Sequence, residues 1–301
     1  MEFRERIEER EELVFEELRR LAQPHVEASG GLFTLLEHDE AEYAAQSLGT
    51  WHVDGTPQDV GVVEWIAKGI EPRFGAFTEV LTAREKEAQE ISRIGEQLHK
   101  GQNIILVSNH GDLKDIAFTL AAYYIQLKEQ SYKFHSSLVM SKIISFIGVG
   151  EHGDPAINIL KNVCDEEYFS FPRTRSIEES KIAGSLVDGY NFRVRKAMEH
   201  RLGRGGNLFA MAASGTTDKP LTEDNGTISM GKVSHGTAKL MMTENSLVVP
   251  VAVWLDKEGV VFEPCDIPRA VNSEDEAYAV MIRIADTLTK NVPGKHFVYA
   301  A

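Results

Sequence analysis

From Asn103 onward, short apolar runs recur at intervals filled by helical patterns. They are Ile104–Val107, Ser137–Met140, Tyr168–Phe171, Leu208–Ala212 and Leu247–Val253. Each is bounded by polar or turn residues and is too short for a buried helix, which is the signal of a strand buried on both faces. Helical stretches at 113–129, about 178–201 and 231–244 separate most of them. A hairpin-like piece, Val253–Phe262, precedes a helix at about 274–290. Strands alternating with helices predict an α/β fold with a mostly parallel sheet flanked by helices on both faces.

The first hundred residues read differently. Phe3, Ile7, Val14, Leu18 and Leu21 recur at helical spacing among Glu and Arg over residues 1–22, and Pro24 is expected to end that helix. Further helices are expected at 32–48, 58–68 and Thr82–Lys100, the last with Ile91, Ile94 and Leu98 on one stripe and Gly101 at its C-cap. The turn-rich segment 49–57 separates the second from the third. No strand is expected before residue 100. The chain thus divides into a helical N-terminal unit, 1–100, and an α/β catalytic domain, 101–301.

Charge narrows the partners. Against 32 Lys and Arg stand 46 Asp and Glu, a net charge of −14 over 301 residues. Such a chain is a poor nucleic-acid binder, because phosphate binding needs a net basic face. An anionic small substrate needs only a local basic cluster. Cys164 and Cys265 form no metal or redox spacing, consistent with a reducing cytoplasm. Residues 1–25 are charged throughout, with no signal-peptide run, and the longest apolar run, Leu247–Leu255, is far short of the ~20 residues of a membrane span. The expectation is a cytoplasmic protein, with peripheral membrane contact allowed through an exposed apolar patch.

In open α/β sheets ligands bind beyond the carboxyl ends of the strands. After the first strand comes Ser108-Asn109-His110-Gly111-Asp112-Leu113-Lys114-Asp115. An imidazole in the strand-to-helix turn and a carboxylate in the first helical turn can share a hydrogen bond, leaving the other ring nitrogen as a base. The same residues also suit a plain helix start, with Asp112 as N-cap and Asp115 complementing the helix dipole. After the third strand, Arg173 and Arg175 can fork onto a phosphate or carboxylate. They open a segment, 171–204, with eight Lys and Arg against four acids. After the fourth, Ser214-Gly215-Thr216-Thr217-Asp218-Lys219 offers backbone N–H groups to an anion. His152-Gly153-Asp154 echoes His110-Gly111-Asp112, but no spacing supports a metal site.

Taken in order, these blocks resemble the glycerolipid acyltransferase superfamily, with its Asn-His-x4-Asp block after a buried strand. Asn109, His110 and Asp115 match that block. Phe171–Arg175 stands at the second, basic block, and Val248–Ala252 resembles the fourth, proline-containing one. Ser214-Gly215-x-x-Asp218-x-Pro220 resembles the third block of the soluble, plastid-type glycerol-3-phosphate acyltransferases more than the block of lysophosphatidate acyltransferases. A helical N-terminal unit before the catalytic domain is also similar in layout.

The resemblance implies a fatty acyl transfer from an acyl thioester, either acyl-CoA or acyl carrier protein, to a hydroxyl of glycerol 3-phosphate or a related small phosphorylated acceptor. It implies His110 and Asp115 as catalytic residues, and no cofactor or metal. Arg173, Arg175, Ser214, Gly215 and Lys219 would bind substrate. The family's third block carries basic residues for the acceptor phosphate. Thr217 stands at the first of those positions and only Lys219 is basic, so the arginines would take over, or the acceptor differs. Other readings stay open: a lysophosphatidate acyltransferase, a metal-dependent phosphoesterase built on His110, Asp112, His152 and Asp154, and a non-catalytic acyl-binding protein.

Overall fold

The computed structural model describes residues 2–28, 33–36, 85–111, 115–149, 154–155, 164–172, 174–179, 181–214, 219–220, 226–255, 260–266 and 268–299. In chain order these form α1 (Glu2–Ala28), β1 (Phe33–Leu35), α2 (Glu85–His99), β2 (Asn103–Ser108), α3 (Asp115–Glu129) and β3 (His135–Ser141). A 3-10 turn (Lys142–Phe146), β4 (Ile147–Val149), β5 (Asp154–Pro155), β6 (Glu166–Ser170), α4 (Arg175–Glu179), α5 (Lys181–Leu202) and β7 (Asn207–Ala212) follow. The chain continues through β8 (Lys219–Pro220), β9 (Thr227–Met230), α6 (His235–Met241), β10 (Ser246–Leu255), β11 (Val260–Pro264), α7 (Glu274–Asn291) and β12 (His296–Tyr299).

The protein is α/β. Its main sheet has six strands in the order β11-β10-β2-β7-β3-β6, all parallel except the edge strand β11. β2 and β7 are buried at every position, as the apolar runs predict. Alternate residues feed two cores. Ile104, Leu106, Leu208 and Ala210 face α1, α2 and α3 through Leu18, Ile94 and Leu120. Ile105, Val107, Phe209 and Met211 face α6 and α7 through Met241, Met281 and Ile284. Helices therefore cover both faces. α2 lies on the sheet itself, its Ile91, Ile94 and Leu98 sharing one core with the strands.

Several local expectations need correction. Pro24 does not end α1, which runs on to Ala28. The ring removes one hydrogen bond and crowds the preceding turn, but Val14, Leu18 and Ala22 are fixed in the core and Val26 packs against it beyond the proline. Phe33–Leu35 is a strand and not the start of a helix, pairing antiparallel with Ile147–Val149. Residues before 100 thus contribute a strand after all. The expected helix at 58–68 and the loop at 49–57 lie outside the described residues.

Pro250 sits inside β10, between two neighbouring strands, without breaking it. Val248 exchanges both backbone hydrogen bonds with Arg269, so even-numbered residues of β10 turn their polar groups away from β2. The Pro250 carbonyl accepts from Cys265 on that side. Its absent N–H falls between Cys265 and Arg269, and the β2 ladder loses nothing.

Candidate active site

β2 and β7 are adjacent and parallel, yet the chain leaving β2 enters α3 on one face and the chain leaving β7 reaches α6 on the other. Ligands in open α/β sheets bind where neighbouring strands send their connections to opposite faces. Ser108 pairs with Ala212, and the Ala213 N–H still reaches the Ser108 carbonyl at 3.2 Å. His110 and Ser214 each follow two residues beyond that last pair, so both expected site residues leave the sheet at the carboxyl ends of adjacent strands.

His110 is only 7% exposed. Its backbone is anchored from the preceding residue. The Asn109 side chain donates from Nδ2 to the Val253 carbonyl at 2.8 Å and accepts the Val253 N–H on Oδ1 at 2.8 Å. The β2–β10 backbone ladder stops at Ser108–Val251. Asn109 therefore extends it by one step with an amide side chain in place of backbone, and fixes the point at which His110 leaves the sheet.

Asp115 is the first residue of α3, and its side chain is outside the described set. Arg173 and Gly215 lie outside the described residues altogether. Lys219 is placed by its backbone, in β8 opposite Ser229. Arg175 opens α4 with its side chain 91% exposed, and its Nε donates to Glu179 Oε1 at 2.7 Å. It follows β6, three strands from β2, a lateral separation of about 14 Å at ~4.8 Å per strand. Arg175 is thus brought neither beside His110 nor beside Ser214.

The strand that leads to these arginines is held by a second amide clamp. Asn191 on α5 accepts the Phe171 N–H at 2.8 Å and donates to the Phe171 carbonyl at 2.9 Å, while Tyr190 packs edge-on against the Phe171 ring.

Ser108 escaped the sequence reading. It is buried at the end of β2, and its Oγ has no hydrogen-bond partner among the described residues. It shares its sheet face with Ile104 and Leu106, the face of α3. A lone hydroxyl without a partner in a buried strand end is costly unless a ligand or water meets it. The segment Gly231–His235 was also missed. The Ser234 N–H bonds the Ala213 carbonyl at 3.3 Å, which brings this segment to the end of β7 beside Ser214. His235 there pairs with Glu274 at 2.8 Å. A hydroxyl ending an otherwise apolar run was the available signal for Ser108; nothing in the sequence marked the second segment.

At the opposite edge of the sheet a separate polar cluster closes the strand beginnings. His135 lies 3.7 Å from Asp165 and 3.5 Å from Glu166, and the Tyr168 hydroxyl donates to Glu166. Burial pushes the Glu166 carboxyl up, but His135, Tyr168 and the Arg201 charge together outweigh it and hold it at about 2. Among the described residues no three His, Cys, Asp or Glu side chains are grouped as a metal ion would need. His152 lies outside them, and Asp154 forms part of β5. No described helix is long and apolar enough to cross a membrane.

Compared with known proteins, the chain matches no family model and no curated protein.

Proposed function

We propose that the protein is an acyltransferase that moves a fatty acyl group from an acyl thioester to a hydroxyl of glycerol 3-phosphate or a related acceptor. The observation that supports this most is the placement of His110. It is a buried imidazole, held by the Asn109 clamp at the carboxyl end of a central strand, five residues before an aspartate that opens the next helix.

Transfer is direct. His110 takes the proton from the acceptor hydroxyl as its oxygen attacks the thioester carbonyl, and Asp115 orients the imidazole and stabilises the imidazolium. The tetrahedral oxyanion collapses, the carbon–sulfur bond breaks and the imidazolium returns its proton to the leaving thiolate. Backbone N–H groups at the start of α3 supply oxyanion donors. Arg173, Arg175 and Lys219 are the cations proposed for the acceptor's anion. Arg175 stands about 14 Å to the side of His110, so it serves only an acceptor group held at that distance, and only on exchanging Glu179 for substrate, a small cost because exposed ion pairs contribute ~0–1 kcal/mol. A donor held by acyl carrier protein and one held by CoA use the same chemistry.

The test is thiol release from acyl-CoA, and separately from acyl carrier protein, with and without glycerol 3-phosphate. Acceptor-dependent release is expected. His110→Ala and Asp115→Asn should each lower it by a factor of about 10² or more while leaving the circular-dichroism spectrum intact. Full turnover in purified His110→Ala would overturn the mechanism.

A further inference from the structure

The chain is strongly acidic, yet residues 189–204 carry Arg193, Arg195, Lys196, Arg201 and Arg204 against the single acid Glu199. Most of this stretch is the second half of α5. The inner side of the helix is anchored by Val187, Met198 and Leu202. Its outer side carries two large apolar residues in the open, Phe192 at 53% exposed and Leu186 at 38%. At about 100° per residue, Phe192 and Leu186 bound an arc of ~120°, and Gly189, Arg193, Lys196 and His200 fall inside it. No acid does. Asp188 and Glu199 lie just beyond the Phe192 edge, and Glu199 is paired with Lys196 at 2.5 Å and Arg195 at 3.5 Å. Arg195 and Lys196 stand over the Phe192 ring, 5.4 and 5.8 Å from its centroid. Arg193 has no ion pair among the described residues.

We propose that this outer face of α5 is a docking surface for an anionic lipid bilayer. Exposed aromatic and aliphatic side chains flanked by Lys and Arg, with no acid between them, match the chemistry of a phosphate layer over acyl chains. The strip is linear, about 21 Å from Leu186 to His200. A fluid headgroup layer can place phosphates beneath cations at any spacing along it, while Phe192 and Leu186 enter the layer below. The negative charge of the rest of the chain is screened beyond ~10 Å at ordinary ionic strength, so the local charge governs contact. The inference concerns binding alone and does not rest on acyl transfer.

The test is co-sedimentation of the full chain with vesicles of phosphatidylcholine, and of phosphatidylcholine mixed with phosphatidylglycerol. Binding is expected to the anionic vesicles only, and to weaken with salt. Combined Arg193→Glu and Lys196→Glu should lower the partition coefficient about a hundredfold or more, and Phe192→Ala about tenfold. Ile282, 50% exposed on the acidic helix α7, is the control, and Ile282→Ala should change nothing. Binding that is absent, or that survives the charge reversal, would overturn the proposal. So would retention on immobilised polyglutamate without vesicle binding, which would assign the face to an acidic protein instead.

Discussion

Replacing Asn109 by Ala removes two hydrogen bonds at once, each 2.8 Å long and each to the same buried residue. No side chain remains to meet the Val253 N–H and carbonyl, which sit inside the sheet at 0% exposure. A buried backbone group stripped of its partner costs about 1–3 kcal/mol, so the pair together should cost about 2–6 kcal/mol. With an m-value of about 3 kcal/mol per molar urea, the unfolding midpoint falls by about 0.7–2 M. Amide exchange at Val253 is the local readout and should quicken about 30-fold or more. Asn109→Asp sharpens the reasoning. An ionised carboxylate still accepts the Val253 N–H but turns its other oxygen onto the Val253 carbonyl; a protonated one restores both bonds. The folded state therefore raises that carboxyl's pKa, and a raised pKa contributes stability at low pH that is lost as pH rises. The deficit of the Asp variant relative to wild type should accordingly shrink on acidification. An Ala variant with unchanged midpoint and unchanged Val253 exchange would refute the clamp.

Ser108→Ala removes a buried hydroxyl without a described partner, and should leave the protein as stable or up to ~1 kcal/mol more stable in urea titration. A loss of thiol release in that stable variant would show that substrate uses the hydroxyl. Glu166 is ionised in the folded protein down to about 2, below the ordinary carboxylate range. It should add stability above pH ~4.5 that is lost as pH falls towards 2, and Glu166→Gln should flatten that limb of the stability-against-pH curve. Gly205 has φ +70°, and a Cβ there would stand 2.3 Å from the Gly101 carbonyl oxygen. Gly205→Ala should destabilise by more than the ~1 kcal/mol of left-handed backbone alone, read as a lowered melting temperature; an unchanged one would contradict the close approach.

The central strands β2 and β7 were legible because each is buried at every position, and double burial writes an apolar run into the sequence, while β3 and β6 showed only through the short apolar runs at their cores. α7 runs over Glu274–Asn291, where a helix at about 274–290 is expected, and its start is held by a capping-box pattern. Ser273 caps it by accepting the Glu276 N–H, and the Glu276 carboxylate reaches back to the Asn272 N–H. The short strands were not legible. Lys219–Pro220 and Asp154–Pro155 have no strand character of their own, and each is a strand only because a neighbour supplies the other half of its ladder. Phe33-Thr34-Leu35 alternates over three residues, too few to separate a strand from one turn of a leucine-rich helix. Of the candidate site, the position of His110 followed from the strand before it. The ion pair that occupies Arg175 did not, because nothing in Arg-Ser-Ile-Glu-Glu says that a helix begins at the arginine and carries the glutamate round to it.

The two amide clamps explain why chemistry can sit at this edge. A parallel strand that ends leaves backbone donors and acceptors on its longer neighbour, and these must be met if buried. Another backbone segment would meet them by prolonging the strand, and would carry His110 further along the sheet. A side-chain amide meets them without prolonging anything: Asn109 supplies one donor and one acceptor to Val253 while its own backbone is free to turn. Asn191 does the same for Phe171 from a helix, at the end of β6. In both places the chain leaves the sheet at a fixed residue, and the next residues are those with chemical potential, His110 in one case and Arg173 with Arg175 in the other. Aspartate cannot donate to the carbonyl when ionised, and glutamine carries one more methylene to place. Asparagine is therefore the residue this geometry selects, at positions where neither hydrophobic periodicity nor charge would have pointed to it.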